Sequence, residues 1–247
     1  MEPRGKTALI TGGAHRVGRA ITLALARAGA NVVINYHRSA QAAQVTAAEA
    51  RALGVDALPA QADVADLAQV EAMVAAANDH FGRVDILVNA ASPFVKTPVP
   101  TTDLSGWHEV TRALIDGAFY CANAIAPRML EHGEGAIVNI VDGVLWVPWP
   151  GLTAHGVGKA GLMALTRQLA LELAPAVRVN AVAPGPVLPP PYFSEEQKQR
   201  AAERTLLRRW GTPDDVAQAV LFLVGASYVT GQVIVVDGGE SIGWRQR

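Results

Sequence analysis

Residues 7–18 read TALITGGAHRVG: five uncharged residues, then a turn holding three glycines that opens into a helical pattern. Thr7 to Thr11 suits a strand buried on both faces, and Gly18 to Ala28 suits a helix stopped by Gly29. A glycine turn joining a first strand to a first helix lets the backbone approach a pyrophosphate, and the helix N-terminus favours the negative charge. Gly12, His15, Arg16, Val17 and Gly18 are therefore candidate contacts for a dinucleotide.

The same alternation runs outward almost to the end of the chain. Asn31 to Tyr36 is the next strand, followed by an Ala-rich helix through Leu53 and a weaker strand over 55–61. Asp66 caps a helix that sets Val70, Met73, Val74 and Ala77 on one face. Val84 to Asn89 is strand-like, 103–131 is one long helical stretch, 136–141 a strand, 156–174 a helix and 177–182 a strand. Helical segments near 195–208 and 213–224 and a strand over 232–236 complete the pattern. Continuous apolar strands separated by helices predict a parallel sheet covered on both faces. The expected fold is α/β, a Rossmann-type doubly wound parallel sheet of about seven strands in a single domain spanning 1–247. No linker or repeat interrupts it, and the proline-rich Pro184 to Pro191 leads into an expected substrate loop near 186–210.

Of 247 residues, 21 are basic and 22 acidic, while 50% are hydrophobic and 17% charged. That balance excludes a mostly disordered chain, and without a basic run to collect phosphates it argues against nucleic-acid binding. The lone Cys121 cannot form an internal disulfide, and six scattered histidines give no metal-ligand spacing, so no metal is expected. Met1 to Lys6 is too short and polar for a signal peptide, and no apolar run approaches a membrane span. The expectation is a cytoplasmic protein acting on a small-molecule substrate.

An acidic residue at the end of the second strand would bind a ribose 2′-hydroxyl and repel a 2′-phosphate. Here the segment is Asn35-Tyr36-His37-Arg38-Ser39, without an acid and with a phosphate-compatible Arg and Ser. Arg16 is expected to bring a second guanidinium to the same region. His37, Arg38 and Ser39 join the cofactor candidates, and NADP(H) is inferred over NAD(H).

Over nearly its whole length the chain resembles the short-chain dehydrogenase/reductase family. The motifs that carry the resemblance are Thr11-Gly12 through Gly18, Asp63-Val64, Asn89-Ala90-Ala91-Ser92, Asn180 through Pro184-Gly185, and Val236-Asp237-Gly238-Gly239. The resemblance implies cofactor contacts at Asp63, Val64, Asn89, Ala90, Pro184 and Gly185. It also implies a homotetramer or homodimer formed through the helices at 103–131 and 156–174. Within the family the chain looks most like the pteridine reductases, which carry Arg at the position of Arg16 and a His-Arg-Ser segment as at 37–39. They also have a Ser and a ring-stacking Phe where Ser92 and Phe94 fall, so both are substrate candidates. Tyr192, in the proline-rich loop, is a third, as a substitute hydroxyl.

Reducing a C=O or C=N bond takes a hydride, a proton donor and a positive group that steadies developing charge. The family supplies the protein's share from Asn, Ser, Tyr and Lys, the last two as Tyr-x-x-x-Lys on one helix face. In this chain the segment is His155-Gly156-Val157-Gly158-Lys159: the lysine is kept and a histidine stands for the tyrosine. Asp142 holds the serine position, as in pteridine reductases, and Leu114 falls on the asparagine. Asp142, His155 and Lys159 are the candidate catalytic residues, Lys159 also being expected on the cofactor. The expected activity is NADPH-dependent, pteridine-reductase-like reduction. The alternatives are a general ketone or 3-oxoacyl-carrier reductase, whose acidic carrier Arg208-Arg209 would dock, and an NADP(H)-binding regulatory protein without efficient turnover.

Overall fold

The computed structural model describes residues 1–190 and 193–242. Its strands are β1 (Thr7–Thr11), β2 (Asn31–Tyr36), β3 (Ala57–Gln61), β4 (Ile86–Asn89), β5 (Gly135–Ile140), β6 (Val177–Pro184) and β7 (Val233–Val236). The helices are α1 (Arg16–Arg27), α2 (Ala40–Ala52), α3 (Leu67–Phe81), α4 (Ser105–Thr111), α5 (Gly117–Glu131), α6 (Thr153–Glu172), α7 (Glu195–Arg204) and α8 (Pro213–Gly225). The strands form one parallel sheet in the order β3-β2-β1-β4-β5-β6-β7, the doubly wound α/β arrangement expected from the sequence.

Alternation along the strands divides the core between two faces. Ile10, Ile34, Val88 and Val138 pack with Ile21 and Leu25 of α1 and Val220 and Leu223 of α8. Leu9, Val33, Leu87 and Ile137 face the other way, onto Met73 and Val74 of α3 and Ile125 and Met129 of α5. Both faces are dry, and among the described residues Arg178 is the one charged side chain in a strand. The chain turns from one face to the other between β1 and β4, so a crevice opens above their carboxyl ends, where ligands of such sheets bind.

Three of the boundaries that differ from the sequence reading bear on the site. Helix α1 begins at Arg16 and not at Gly18, so the glycine turn is tighter. The stretch expected as one helix over 103–131 is α4 and α5 joined by a π-helical turn, Arg112–Asp116, which carries Leu114. Such turns insert a residue into the helical ladder and re-aim the side chains that follow. Helix α6 begins at Thr153 and not at 156, which places His155 inside its first turn.

The loop expected near 186–210 contains α7, whose N-terminus is closed by a capping box between Ser194 and Gln197. Among the described residues, no helix is long and apolar enough to cross a membrane, and no group of three His, Cys, Asp or Glu side chains could hold a metal ion.

Candidate active site

The turn expected from the sequence to meet a pyrophosphate is built from backbone. Gly12 has φ +62°, and a Cβ on Gly18 would stand 2.2 Å from the Gly12 carbonyl oxygen, so the turn closes only because both are glycine. Asn35 at the end of β2 holds this turn: its side-chain oxygen accepts from Gly12 N at 3.2 Å and its backbone carbonyl accepts from Gly13 N at 3.0 Å. Thr11 ties the turn to the other side, its hydroxyl accepting from Ala90 N at 2.9 Å and Ala91 N at 3.1 Å. Bare backbone beside the uncapped first turn of α1 fits the pyrophosphate of a dinucleotide. His15 sits exposed at the N-cap position without a side-chain capping bond, and Val17 packs partly buried against the core.

Arg16 departs from the expectation set for it. It adopts φ +49°, a left-handed conformation costing a non-glycine residue about 1 kcal/mol, and its guanidinium donates to the Leu188 carbonyl at 3.2 Å. Leu188 follows β6, whereas Arg38 follows β2 on the opposite side of β1, so the Arg16 guanidinium is directed away from the β2 end. His37 and Arg38 are exposed after β2, and Ser39 occupies the N-cap position of α2 without a side-chain capping bond.

The other cofactor candidates line the same edge as structural joints. Asp63 accepts from Ala65 N at 2.9 Å, while Val64 is buried so close to Gly117 that a Cβ there would lie 2.8 Å from it. Asn89 donates to Asn139 Oδ1 at 2.9 Å, and Asn139 donates to the Thr166 hydroxyl at 2.9 Å. The buried Asn89 side-chain oxygen has no partner among the described residues. Pro184 ends β6, and Gly185 N donates to the Val236 carbonyl at 3.0 Å, packed where a Cβ would meet Asp237 Cβ at 2.5 Å.

At the end of β5 the three catalytic candidates come together. Asp142 accepts from Val144 N at 3.0 Å through one oxygen, while the other lies 3.3 Å from His155 Nε2. His155 is 2% exposed, and its buried Nδ1 has no partner among the described residues. Phe94 stands edge-on to the imidazole at 5.1 Å between centroids and is itself half exposed. Trp149 lies nearly parallel to the imidazole, 6.4 Å away. One helical turn on, Lys159 is fully buried and donates to the Ile140 carbonyl at 2.7 Å. Burial pushes its amine down from 10.5 to about 8, partly offset by the Asp142 carboxylate.

Leu114 is buried against α6, where a Cβ on Gly158 would meet it at 2.7 Å. It therefore offers no polar atom to the site. Ser92 is exposed beside Ala91, and Tyr192 lies outside the described residues.

Thr97, which no sequence motif marks, fastens the Phe94 loop to the segment before His155. Its N–H donates to the Gly151 carbonyl at 2.8 Å, and its hydroxyl accepts from Ala154 N at 2.9 Å. Leu152 at the N-cap of α6 has no side chain able to do this, so Thr97 caps the helix from another loop. Asn35, Trp149 and Thr97 were all missed as site residues. Only Trp149 left a trace in the sequence, as one of two tryptophans between Asp142 and His155.

The glycine turn and the buried Asp142–His155–Lys159 cluster thus lie at the carboxyl ends of β1 and β5, the edge of a doubly wound sheet where ligands bind. The chain belongs to the short-chain dehydrogenase/reductase family: residues 12–241 match the family model described as Enoyl-(Acyl carrier protein) reductase. It is 38% identical over 239 residues to the 3-oxoacyl-[acyl-carrier-protein] reductase FabG of Staphylococcus aureus strain Mu50, covering 95% of this chain and 97% of that one. A 3-oxoacyl-[acyl-carrier-protein] reductase of Synechocystis is 36% identical, covering 95% of this chain and 96% of that one. Among solved structures, the acetoin dehydrogenase YohF of Salmonella typhimurium superposes with a TM-score of 0.89 at 33% identity, covering 98% of both chains. The chain is a short-chain oxidoreductase, of a family that uses nicotinamide dinucleotides. These relatives are ketoreductases and a dehydrogenase.

Proposed function

We propose that this protein is an NADP(H)-dependent ketoreductase acting on ketones of the 3-oxoacyl thioester kind, with the Asp142–His155 pair in the place of the family's tyrosine. The observation that carries the reading is the contact between His155 Nε2 and Asp142 Oδ2 at 3.3 Å, one helical turn from the buried Lys159. Similarity to FabG proteins over 95% of the chain supports the substrate class. The exposed Arg38 after β2, with no acidic neighbour in 35–39, supports the 2′-phosphate form of the cofactor.

When bound, the cofactor supplies the hydride; the chain's own residues handle the proton. The imidazole shares a proton with the Asp142 carboxylate through Nε2, and Asp142 is the more exposed member, its side chain 20% accessible against 2% for His155. Asp142 is therefore the group that meets the substrate oxygen, with His155 behind it as the proton store. As the carbonyl carbon gains hydride, its oxygen takes one proton from the pair, which regains it from water at the Asp142 side. The Lys159 ammonium steadies the negative charge that the pair and the developing alkoxide carry. The chain is further proposed to assemble as a homodimer or homotetramer, a reading supported by exposed apolar side chains on α5 and α6, among them Phe119 and Leu171.

A second reading, reduction of a C=N bond in a flat heteroaromatic substrate, is favoured by the half-exposed Phe94 ring edge-on to His155. The test is NADPH oxidation with an acetoacetyl thioester, a simple ketone and a dihydropterin, each run with wild type, His155→Gln and His155→Tyr. The ketoreductase reading expects turnover of the thioester by wild type and its loss in His155→Gln. If wild type and His155→Tyr both bind NADPH and turn over none of the three, the protein is a cofactor-binding module and the enzymatic reading is wrong.

A further inference from the structure

We propose that Thr97 is the positioning residue for His155, joining the loop that carries Phe94 to the helix that carries the proton-storing imidazole. The assignment rests on the reading of Asp142–His155 as the proton-delivering pair. Three observations converge on it. The loop after β4 and the loop before α6 make an isolated parallel bridge at Thr97 and Leu152. The Thr97 N–H donates to the Gly151 carbonyl, so the loop is held on its main chain as well as its side chain. The Thr97 hydroxyl, itself buried, accepts from Ala154 N, the residue immediately before His155.

The consequence follows from helix geometry. The first-turn N–H groups of a helix have no partner inside it, and a turn left uncapped frays. In α6 that first turn contains His155, and Leu152 at its N-cap makes no side-chain bond. Among the described residues His155 Nδ1 finds no partner either, so there the ring is held by a single hydrogen bond, to Asp142, together with Phe94 and Trp149. A ring held so sparsely takes its direction from its backbone, and Thr97 fixes that backbone. The same residue lies three positions after Phe94, so one contact sets both the imidazole and the ring beside it. Thr97 touches neither substrate nor cofactor in this scheme; it acts through His155.

Thr97→Val keeps the shape and removes the hydroxyl, while Thr97→Ser keeps the hydroxyl. The first measurement is steady-state NADPH-dependent reduction of the acetoacetyl thioester. Thr97→Val is expected to lower kcat about tenfold with KM for NADPH changed less than about twofold, and Thr97→Ser to recover kcat to within about twofold of wild type. The second measurement needs no turnover. Nitrogen-15 correlation spectra of the cofactor-free protein, with the His155 ring assigned by its loss in His155→Gln, are expected to show that ring shifted or broadened in Thr97→Val and restored in Thr97→Ser. Should Thr97→Val fail to fold, Thr97→Ala carries the same two measurements. An unchanged ring signal in the hydroxyl-free variant overturns the proposal, as does an unchanged kcat in an active enzyme. If wild type itself shows no turnover, the functional reading fails alone, and the ring signal still decides for or against Thr97.

Discussion

Lys159→Met separates the cost of the site from its use. Lys159 is a fully buried amine whose proton affinity has fallen from 10.5 to about 8, chiefly through burial. A drop of that size corresponds to about 3 kcal/mol held against the charged form in the folded protein. Below pH 8 the lysine is charged in folded and unfolded chains alike, and the folded state carries the whole penalty. Between pH 8 and 10.5 the folded protein has released the proton while the unfolded chain still binds it. Unfolding then takes up a proton, so stability rises with pH, by at most about 1.4 kcal/mol per pH unit, until the penalty is gone near 10.5. Methionine never carries the charge, but it leaves the Ile140 carbonyl without the 2.7 Å donor that the amine supplies, a loss of about 2 kcal/mol.

The two terms set the sign at each end of the pH range. Near pH 7 Lys159→Met should be more stable than wild type by about 1 kcal/mol, although it removes a hydrogen-bonded residue. Near pH 10 the order should reverse, because the neutral amine still donates to Ile140 at no electrostatic cost. Urea unfolding followed by tryptophan fluorescence, without cofactor and at one protein concentration, measures both proteins from pH 7 to 10. A stability difference that stays flat over that range would falsify the account of a buried charge. So would a loss of more than about 3 kcal/mol at pH 7, which would mean that the ammonium is well solvated or paired in the fold.

The remaining predictions address function. His155→Gln and Asp142→Asn should each lower kcat by about 10²-fold, and the double variant by little more, because the two act as one unit; additive losses in a double-mutant cycle would break the pairing. Arg38→Glu should raise KM for NADPH by about tenfold or more and leave KM for NADH nearly unchanged, measured in parallel assays; equal effects on both would remove Arg38 from the 2′-phosphate. Gly18→Ala puts a Cβ where only 2.2 Å separates it from the Gly12 carbonyl oxygen, so the turn must open. NADPH affinity by fluorescence titration should fall at least about tenfold with the fold retained, and tight binding would mean that the turn is not the phosphate cradle.

The fold was legible because its signals are local. A strand buried on both faces has to be apolar throughout, so TALIT and VDILVN announce themselves, and Gly12 to Gly18 can only be a tight turn leading into a helix. The π-helical turn at Arg112–Asp116 left no such trace, because one extra residue hardly disturbs an apolar pattern that Val110, Ala113 and Ala118 carry through it. The site was legible as a set of positions and not as contacts. Asp142, His155 and Lys159 do converge, but the burial of His155 behind Asp142 depends on Phe94, Trp149 and Thr97, which come from other loops. Arg16 shows the same limit: its place in the glycine turn was plain, while its direction was set by Leu188, 172 residues away.

Leu114 and Asp142 both meet the α6 segment that carries His155 and Lys159. Leu114 presses an apolar side chain onto the Gly158 turn of α6, between His155 and Lys159. That turn therefore packs against hydrocarbon, one residue before the buried Lys159. A dry lysine beside a neutral serine would lose its charge more readily still; a carboxylate at 142 opposes that loss. The same carboxylate gives a histidine at 155 a partner at 3.3 Å for its Nε2. If proton delivery runs through Asp142, as proposed, one carboxylate serves both neighbours, pairing with His155 and favouring the charged form of Lys159. It also means that His155→Tyr alone would place a phenol among groups arranged for an imidazole, with Asp142 as its nearest charge, and a carboxylate disfavours the phenolate that a tyrosine becomes once it has given up its proton.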